Sequence, residues 1–181
     1  LLLKGISRKD VSMGRWDQAI YGPLYAGAVA LRNMVWRIRR PVATGVRTII
    51  IQDGQVLLIR HRAGKYPWGL PGGGIKSKER LAEAARREAF EETGVDVQIE
   101  YLLGLYDHYH DGLTNFIAVF VARPSGKTVE QIADPFEIAE ARYFALNNLP
   151  LGLDKGSRCR VADYQTGERG LYAPWYIEGS Q

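Results

Sequence analysis

Cysteine is nearly absent: Cys159 stands alone in 181 residues, so no disulfide can close within the chain. That suits a reducing compartment, and a cytoplasmic location is the expectation. No apolar run approaches the roughly 18 residues that cross a bilayer. The opening "LLLKG" is shorter than the apolar centre of about 7–15 residues in a signal peptide. Internal repeats and low-complexity tracts are also missing. What remains is ordinary globular material, 46% hydrophobic and 24% charged, which excludes disordered and fibrous classes. Its length suits one domain with an appendage. Residues 1–12 precede the first methionine, Met13. They read either as upstream sequence or as the product of a non-standard start.

The net charge of +4 conceals two unlike parts. Residues 1–47 hold nine Lys/Arg against two Asp/Glu, a balance of +7; the remainder holds fifteen against eighteen, a balance of −3. Such a basic arm admits contact with nucleic acid or an anionic membrane surface, but a solvated face or a subunit contact is the commoner meaning. Within it, Gly22–Arg40 reads as a helix, opened by Pro23 and closed by Pro41. Leu24, Ala28, Leu31, Val35 and Ile38 recur at three- and four-residue steps and make an apolar stripe. Burial of that stripe on the domain or in a homodimer is expected, with a peripheral membrane helix as the sharper alternative.

After Pro41 the period becomes that of strands. Val46–Ile51 and Val56–Ile59 are aliphatic runs, separated by "QDGQ" with the Asp-Gly signal of a hairpin. "GKYPWGLPGGG" is too rich in Pro and Gly for regular structure. Lys78–Thr93 reads as one helix, with Ser77 as N-cap and Gly94 just past its end. "VDVQIEYLLGLY", "TNFIAVFVARP" and Ala141–Leu146 read as further strands, and "SRCRVADYQTG" as a last helix. Strands interrupted by helices predict an α/β domain with a mixed sheet. The expected division is 1–40 for the extension, 41–165 for the domain and 166–181 for a tail.

The central helix carries the chemistry. At about 100° per residue, Ala82, Ala85 and Ala89 form a small-residue side that can lie close to a sheet. Glu88, Glu91 and Glu92 crowd an adjoining side, where three carboxylates repel one another. Arg87 can reach Glu83 or Glu91 and hold a carboxylate in one rotamer. A Glu-rich helix is usually just a solvated face. Here "LPGGG" directly upstream offers backbone carbonyls and amides at close range. Hard oxygen donors of this kind indicate Mg²⁺ or Mn²⁺ rather than zinc.

The stretch "GGIKSKERLAEAARREAFEETGV" resembles the Nudix box, G-x5-E-x7-R-E-U-x-E-E-x-G-U with U aliphatic. Gly73, Glu79, Arg87, Glu88, Glu91, Glu92, Gly94 and Val95 fit it, while Ala89 stands where a larger aliphatic residue is usual. Seven exact positions match by chance about once in 10⁸ windows. "VLLIRH", "PWGLPGG" and "DPFEIAEARYFALNNLP" extend the resemblance over about residues 42–165, leaving 1–40 outside it. The resemblance implies an α/β/α sandwich with a mixed sheet. It also implies an enzyme that hydrolyses a phosphoanhydride in a nucleoside diphosphate derivative, with divalent ions in the site. It assigns Glu88 and Glu92 as principal metal ligands, Glu91 as ligand or base, and the Gly73 carbonyl as a further ligand. Arg87 would orient the carboxylates and Glu79 support the helix entrance. Glu137 is the candidate for a late catalytic glutamate, with Glu140 second.

The substrate is less marked. His108 and His110 share a face if "YDHYHDG" is extended. They and Tyr109 are candidates for a substrate loop, since no cysteine or regular spacing supports zinc. Trp68 is a candidate base-stacking ring, or else a core plug beside "LPGG". His61, at a strand end, reads as structural or at most a phosphate contact. A proline about sixteen residues past the box marks ADP-ribose-cleaving relatives, and it is absent here. The marks of NADH- and coenzyme-A-cleaving relatives are absent too, and Tyr109 stands near the tyrosine of dinucleoside-polyphosphate relatives. The resemblance is taken to be to the mutator-type branch, which implies a nucleoside triphosphate as substrate. Dinucleoside polyphosphates, nucleotide sugars and RNA ends are the alternatives, and a nucleotide-binding regulator without turnover is the reading from another class.

Overall fold

The computed structural model describes residues 42–62, 67–110, 113–126 and 137–175, excepting the side chains of His110 and Leu113. The helix expected over Gly22–Arg40 lies outside the described residues.

β-Branched and aliphatic runs become strands as their period predicts. β1 (Val42–Gln52) and β2 (Gln55–His61) pair antiparallel across Asp53–Gly54, both at positive φ as a tight hairpin turn requires. β3 (Trp68–Gly69) pairs with β2. α1 (Leu81–Thr93) follows, then β4 (Val97–His110), β5 (Leu113–Pro124) and β6 (Ile138–Ala145). α2 (Lys155–Thr166) and β7 (Leu171–Pro174) complete the described chain. The sheet runs β3-β2-β1-β5-β4-β7, with β6 on the other edge of β2. It is mixed, because β1 with β5 and β4 with β7 are parallel pairs.

The two helices among the described residues cover opposite faces. Ala84, Ala85 and Ala89 of α1 are fully buried against Val46, Ile50, Ala118 and Ala122. Small side chains let the helix axis come close, and the alanine at position 89 is part of that fit. Val161 of α2 joins Ile49, Val119 and Val121 on the other face. Ile49 and Ile50, neighbours in sequence, are both completely buried. A strand covered on both faces explains why the run reads as continuous rather than alternating.

Several boundaries differ from the sequence expectation: β1 starts at Val42 instead of Val46, β4 runs on to His110, β6 starts at Ile138 instead of Ala141, and Trp68–Gly69, expected to be irregular, pairs as β3. Ser77 is not the N-cap of α1; the helix starts at Leu81, with Arg80 at the cap. Lys78 adopts φ +65, and Lys76–Glu79 closes as a turn, with the Glu79 amide donating to the Lys76 carbonyl at 3.1 Å. Residues 171–174, within the expected tail, form β7 beside β4. Trp175 anchors it edge-on to Tyr106, with ring centroids 6.2 Å apart. Buried Arg160 lies 3.8 Å from the Tyr106 ring centroid and donates to the Pro174 carbonyl at 3.0 Å.

Candidate active site

The glycine turn sits between β1 and α1. Backbone amides of β1 reach into it: Val46 donates to the Gly73 carbonyl and Thr48 to the Pro71 carbonyl, each at 2.9 Å. Gly72, at φ +145, lies so close to β1 that a Cβ would fall on the Val46 carbonyl. A Cβ at Gly73 would stand 2.8 Å from the Glu88 carboxylate. Gly72 and Gly73 are therefore required by close approach, one to a strand and one to a carboxylate.

Arg87 organises the acidic side of α1. It donates from Nη1 to Glu88 at 2.6 Å and to Glu91 at 3.0 Å, and from Nε to Glu79 at 2.7 Å. Its Nη2 reaches the Gly74 carbonyl at 3.0 Å. Of its two expected partners, Glu91 is bound and Glu83 is not, because Glu83 accepts from the Arg80 amide at the helix start. Glu79 is held down to a pKa of about 2 by its bonds from Arg87 and the Lys76 amide, and the same carboxylates raise that of Arg87. Lys76 adds an ion pair to Glu91 at 3.4 Å.

Glu92 faces inward. It is only 9% exposed and accepts the Gly72 amide at 2.6 Å. Burial pushes its pKa up to about 7 against the opposing pull of Arg47 and the Gly72 amide; Glu88 and Glu137 push it further. Glu137 thus belongs to the same electrostatic neighbourhood. Its carboxylate is 3.8 Å from His61 Nδ1. His61, in turn, has a lowered pKa, first from burial and then from Arg47. Glu140 is turned elsewhere, to Arg60 at 3.0 Å and Arg142 at 3.3 Å.

The donors suit a hard divalent ion in kind. They are carboxylates and carbonyls, the buried Glu92 carboxylate accepts the Gly72 amide, and the Gly73 carbonyl keeps a second lone pair after Val46 is served. They are not gathered as a ready cage: among the described residues no three His, Cys, Asp or Glu groups converge. Glu88 and Glu91 are turned to Arg87 instead, so a metal would have to share or displace those bonds.

The substrate candidates divide. Trp68 is 7% exposed, edge-on to Phe144 at 4.8 Å and flanked by Arg142 at 5.2 Å. It is a core plug and has no ring face free for a base. Tyr109 is 73% exposed, and His108 next to it is half-buried. Their register runs through Thr114 and Asn115 of β5 to Val42 and Ala43 of β1, a few residues from Gly45, which bridges Gly74. They lie at the glycine-turn end of the sheet. The His110 side chain is outside the described residues.

Two residues at the site had not been singled out from the sequence. Arg47 projects from β1 to the Leu70 carbonyl at 3.3 Å and to the Gly72 carbonyl. Buried Ser157 of α2 accepts the Leu70 amide at 3.0 Å. An arginine inside an aliphatic strand was a signal for the first. Nothing local marked the second.

The NUDIX domain family matches residues 39–164. A MutT-like protein of Streptomyces ambofaciens is 37% identical over 43% of this chain, which spans about half (49%) of that relative. An ADP-ribose pyrophosphatase of Methanocaldococcus jannaschii is 34% identical over 72% of this chain and 79% of its own length. Among solved structures, a MutT NUDIX hydrolase from Burkholderia pseudomallei is 30% identical with a TM-score of 0.60, over 68% of this chain and 98% of the other.

Proposed function

The chain belongs to the NUDIX domain family, and on that footing we propose that it hydrolyses a phosphoanhydride bond in a nucleoside diphosphate derivative, with a nucleoside triphosphate as substrate and Mg²⁺, or Mn²⁺ in its place, as cofactor. The observation that carries this reading is the buried carboxylate of Glu92 standing beside Glu88 against the glycine turn. A bound divalent ion would supply charge neutralisation at the phosphate oxygens and acidify water. Glu88, Glu92 and the Gly73 carbonyl would hold it. Glu91, the most exposed of the three glutamates at 41% of its side chain, would take a proton from water, or else serve as a further ligand. Arg87 keeps the carboxylates from rotating away. Glu137 is the second candidate base, since its charge is felt at Glu92. His108, Tyr109 and His110 would meet the base or sugar.

A second reading has its own support. The Methanocaldococcus jannaschii relative is named for ADP-ribose, which is also a nucleoside diphosphate derivative. A release assay on nucleoside triphosphates, ADP-ribose, nucleotide sugars, dinucleoside polyphosphates and capped or triphosphorylated RNA, with and without Mg²⁺, tests both. Mg²⁺-dependent release of pyrophosphate from a triphosphate is expected. Turnover of ADP-ribose alone would favour the second reading, and binding without turnover anywhere would leave a nucleotide-binding regulator.

A further inference from the structure

Four consecutive carbonyls of the turn, Leu70 to Gly73, face β1. Backbone amides of Thr48 and Val46 take those of Pro71 and Gly73. A strand presents its amides at alternate residues, so the carbonyls between them cannot be met in the same way. The side chain of Arg47, the residue between those two donors, meets both: Nη1 binds the Leu70 and Gly72 carbonyls. The amides of the same turn point the other way, Leu70 to Ser157 Oγ and Gly72 to Glu92 Oε2. A guanidinium is well suited to this role, because its rigid fork stays charged and donates to more than one acceptor.

We propose that Arg47 is a positioning residue of the site: by holding the Leu70 and Gly72 carbonyls it presets the turn, so that the Gly72 amide meets Glu92 and Gly73 lies against Glu88 before cation or substrate arrives. The inference rests on the hydrolase reading for its consequence in catalysis. Its geometric content does not depend on turnover. Without Arg47, two buried-side carbonyls lose their donor and the Gly72 peptide is free to rotate. The cation site then has to be organised at the moment of binding, which weakens affinity. Loss of a group that orients ligands from behind typically costs about 10–100-fold in metal affinity or activity.

The test uses the full chain with Arg47→Met and Arg47→Lys. Mn²⁺ binding is read by electron paramagnetic resonance without nucleotide. Exchange of the Gly72 amide is read by NMR in the metal-free protein. Steady-state kinetics are read on whichever substrate the wild type turns over. Arg47→Met should weaken Mn²⁺ binding and lower kcat by about 10-fold or more, with KM within about twofold and faster Gly72 exchange. Arg47→Lys, which keeps the charge but not the fork, should recover part of each loss. A folded Arg47→Met protein with wild-type Mn²⁺ affinity and Gly72 exchange overturns the proposal. If Arg47→Met does not fold, Arg47→Lys decides on the same two measurements: impaired values support it and wild-type values overturn it. A wild type that turns over nothing sinks the hydrolase reading, while Mn²⁺ affinity and Gly72 exchange still decide the role of Arg47.

Discussion

Glu92 has to remain buried and yet be able to carry charge. With its pKa raised to about 7 by burial, the folded state keeps the proton longer than an unfolded chain with the ordinary value of 4.5. Its contribution to stability is therefore full below pH 4.5 and is lost as pH rises through 7. In chelator, wild-type stability measured relative to Glu92→Gln should fall across that window by on the order of 3 kcal/mol. A flat difference in urea unfolding between the two pH values would contradict it. At saturating Mg²⁺, Glu92→Gln should fold normally and lose about 10²-fold or more in kcat, since it removes an anionic donor worth several kcal/mol to the developing charge. Wild-type-like turnover would mean the metal site is misplaced. Glu137→Gln should lower kcat by about 10²–10⁴, the usual size of a general-base effect, with binding little changed. Glu140→Gln should not, because its carboxylate is paired with Arg60 and Arg142. The reverse outcome would transfer the role to Glu140.

At the scale of elements, the turn Leu70–Gly74 and the helix α1 work as one unit. The turn is fixed by β1 on one side and by Glu92 on the other. Gly72→Ala would drive a methyl group into the Val46 carbonyl at a φ that L residues avoid. It should destabilise the domain by about 2–5 kcal/mol in denaturant unfolding. Gly74, whose added Cβ would meet nothing within 4 Å, should tolerate Ala at under about 1 kcal/mol. Equal costs at the two sites would show that crowding is not what selects glycine. The helix start was misplaced by three residues for a related reason. Ser77 is a good N-cap in isolation, but the Arg87–Glu79 bonds fold the preceding segment back and delay the first helical turn to Leu81.

For the molecule as a whole, every described site residue falls between Arg47 and Ser157, whereas the apolar stripe of residues 24–38 lies before them in sequence. The stripe Leu24, Ala28, Leu31, Val35 and Ile38 would cost about 25 cal/mol per Å² to leave in water. Deleting residues 1–40 should therefore change solubility or oligomeric state, read by light scattering, more than turnover of a mononucleotide. A truncated protein of unchanged mass that instead loses salt-sensitive RNA binding would shift the arm's role to phosphate contact.

The sequence by itself was sufficient for the family, the mixed sheet, both described helices and the acidic face of α1. These follow from short-range patterns: aliphatic runs, glycine after a helix, and carboxylates at three- and four-residue steps. Of the partners of those carboxylates, Arg87 for Glu91 was legible and the others were not. Arg87 binding Glu88 and Glu79 at once, Glu92 turning inward to the Gly72 amide, and Arg47 reaching Gly72 across 25 residues depend on how β1, the turn and α1 pack. Trp68 had two readings until Phe144 and Arg142 were seen around its ring. β7 was taken for tail because four residues carry little periodicity; β4 and the Trp175–Tyr106 contact make it a strand. Local pattern specifies which side chains share a face. Which of them lose their water, and what replaces it, is set only when distant segments close over them.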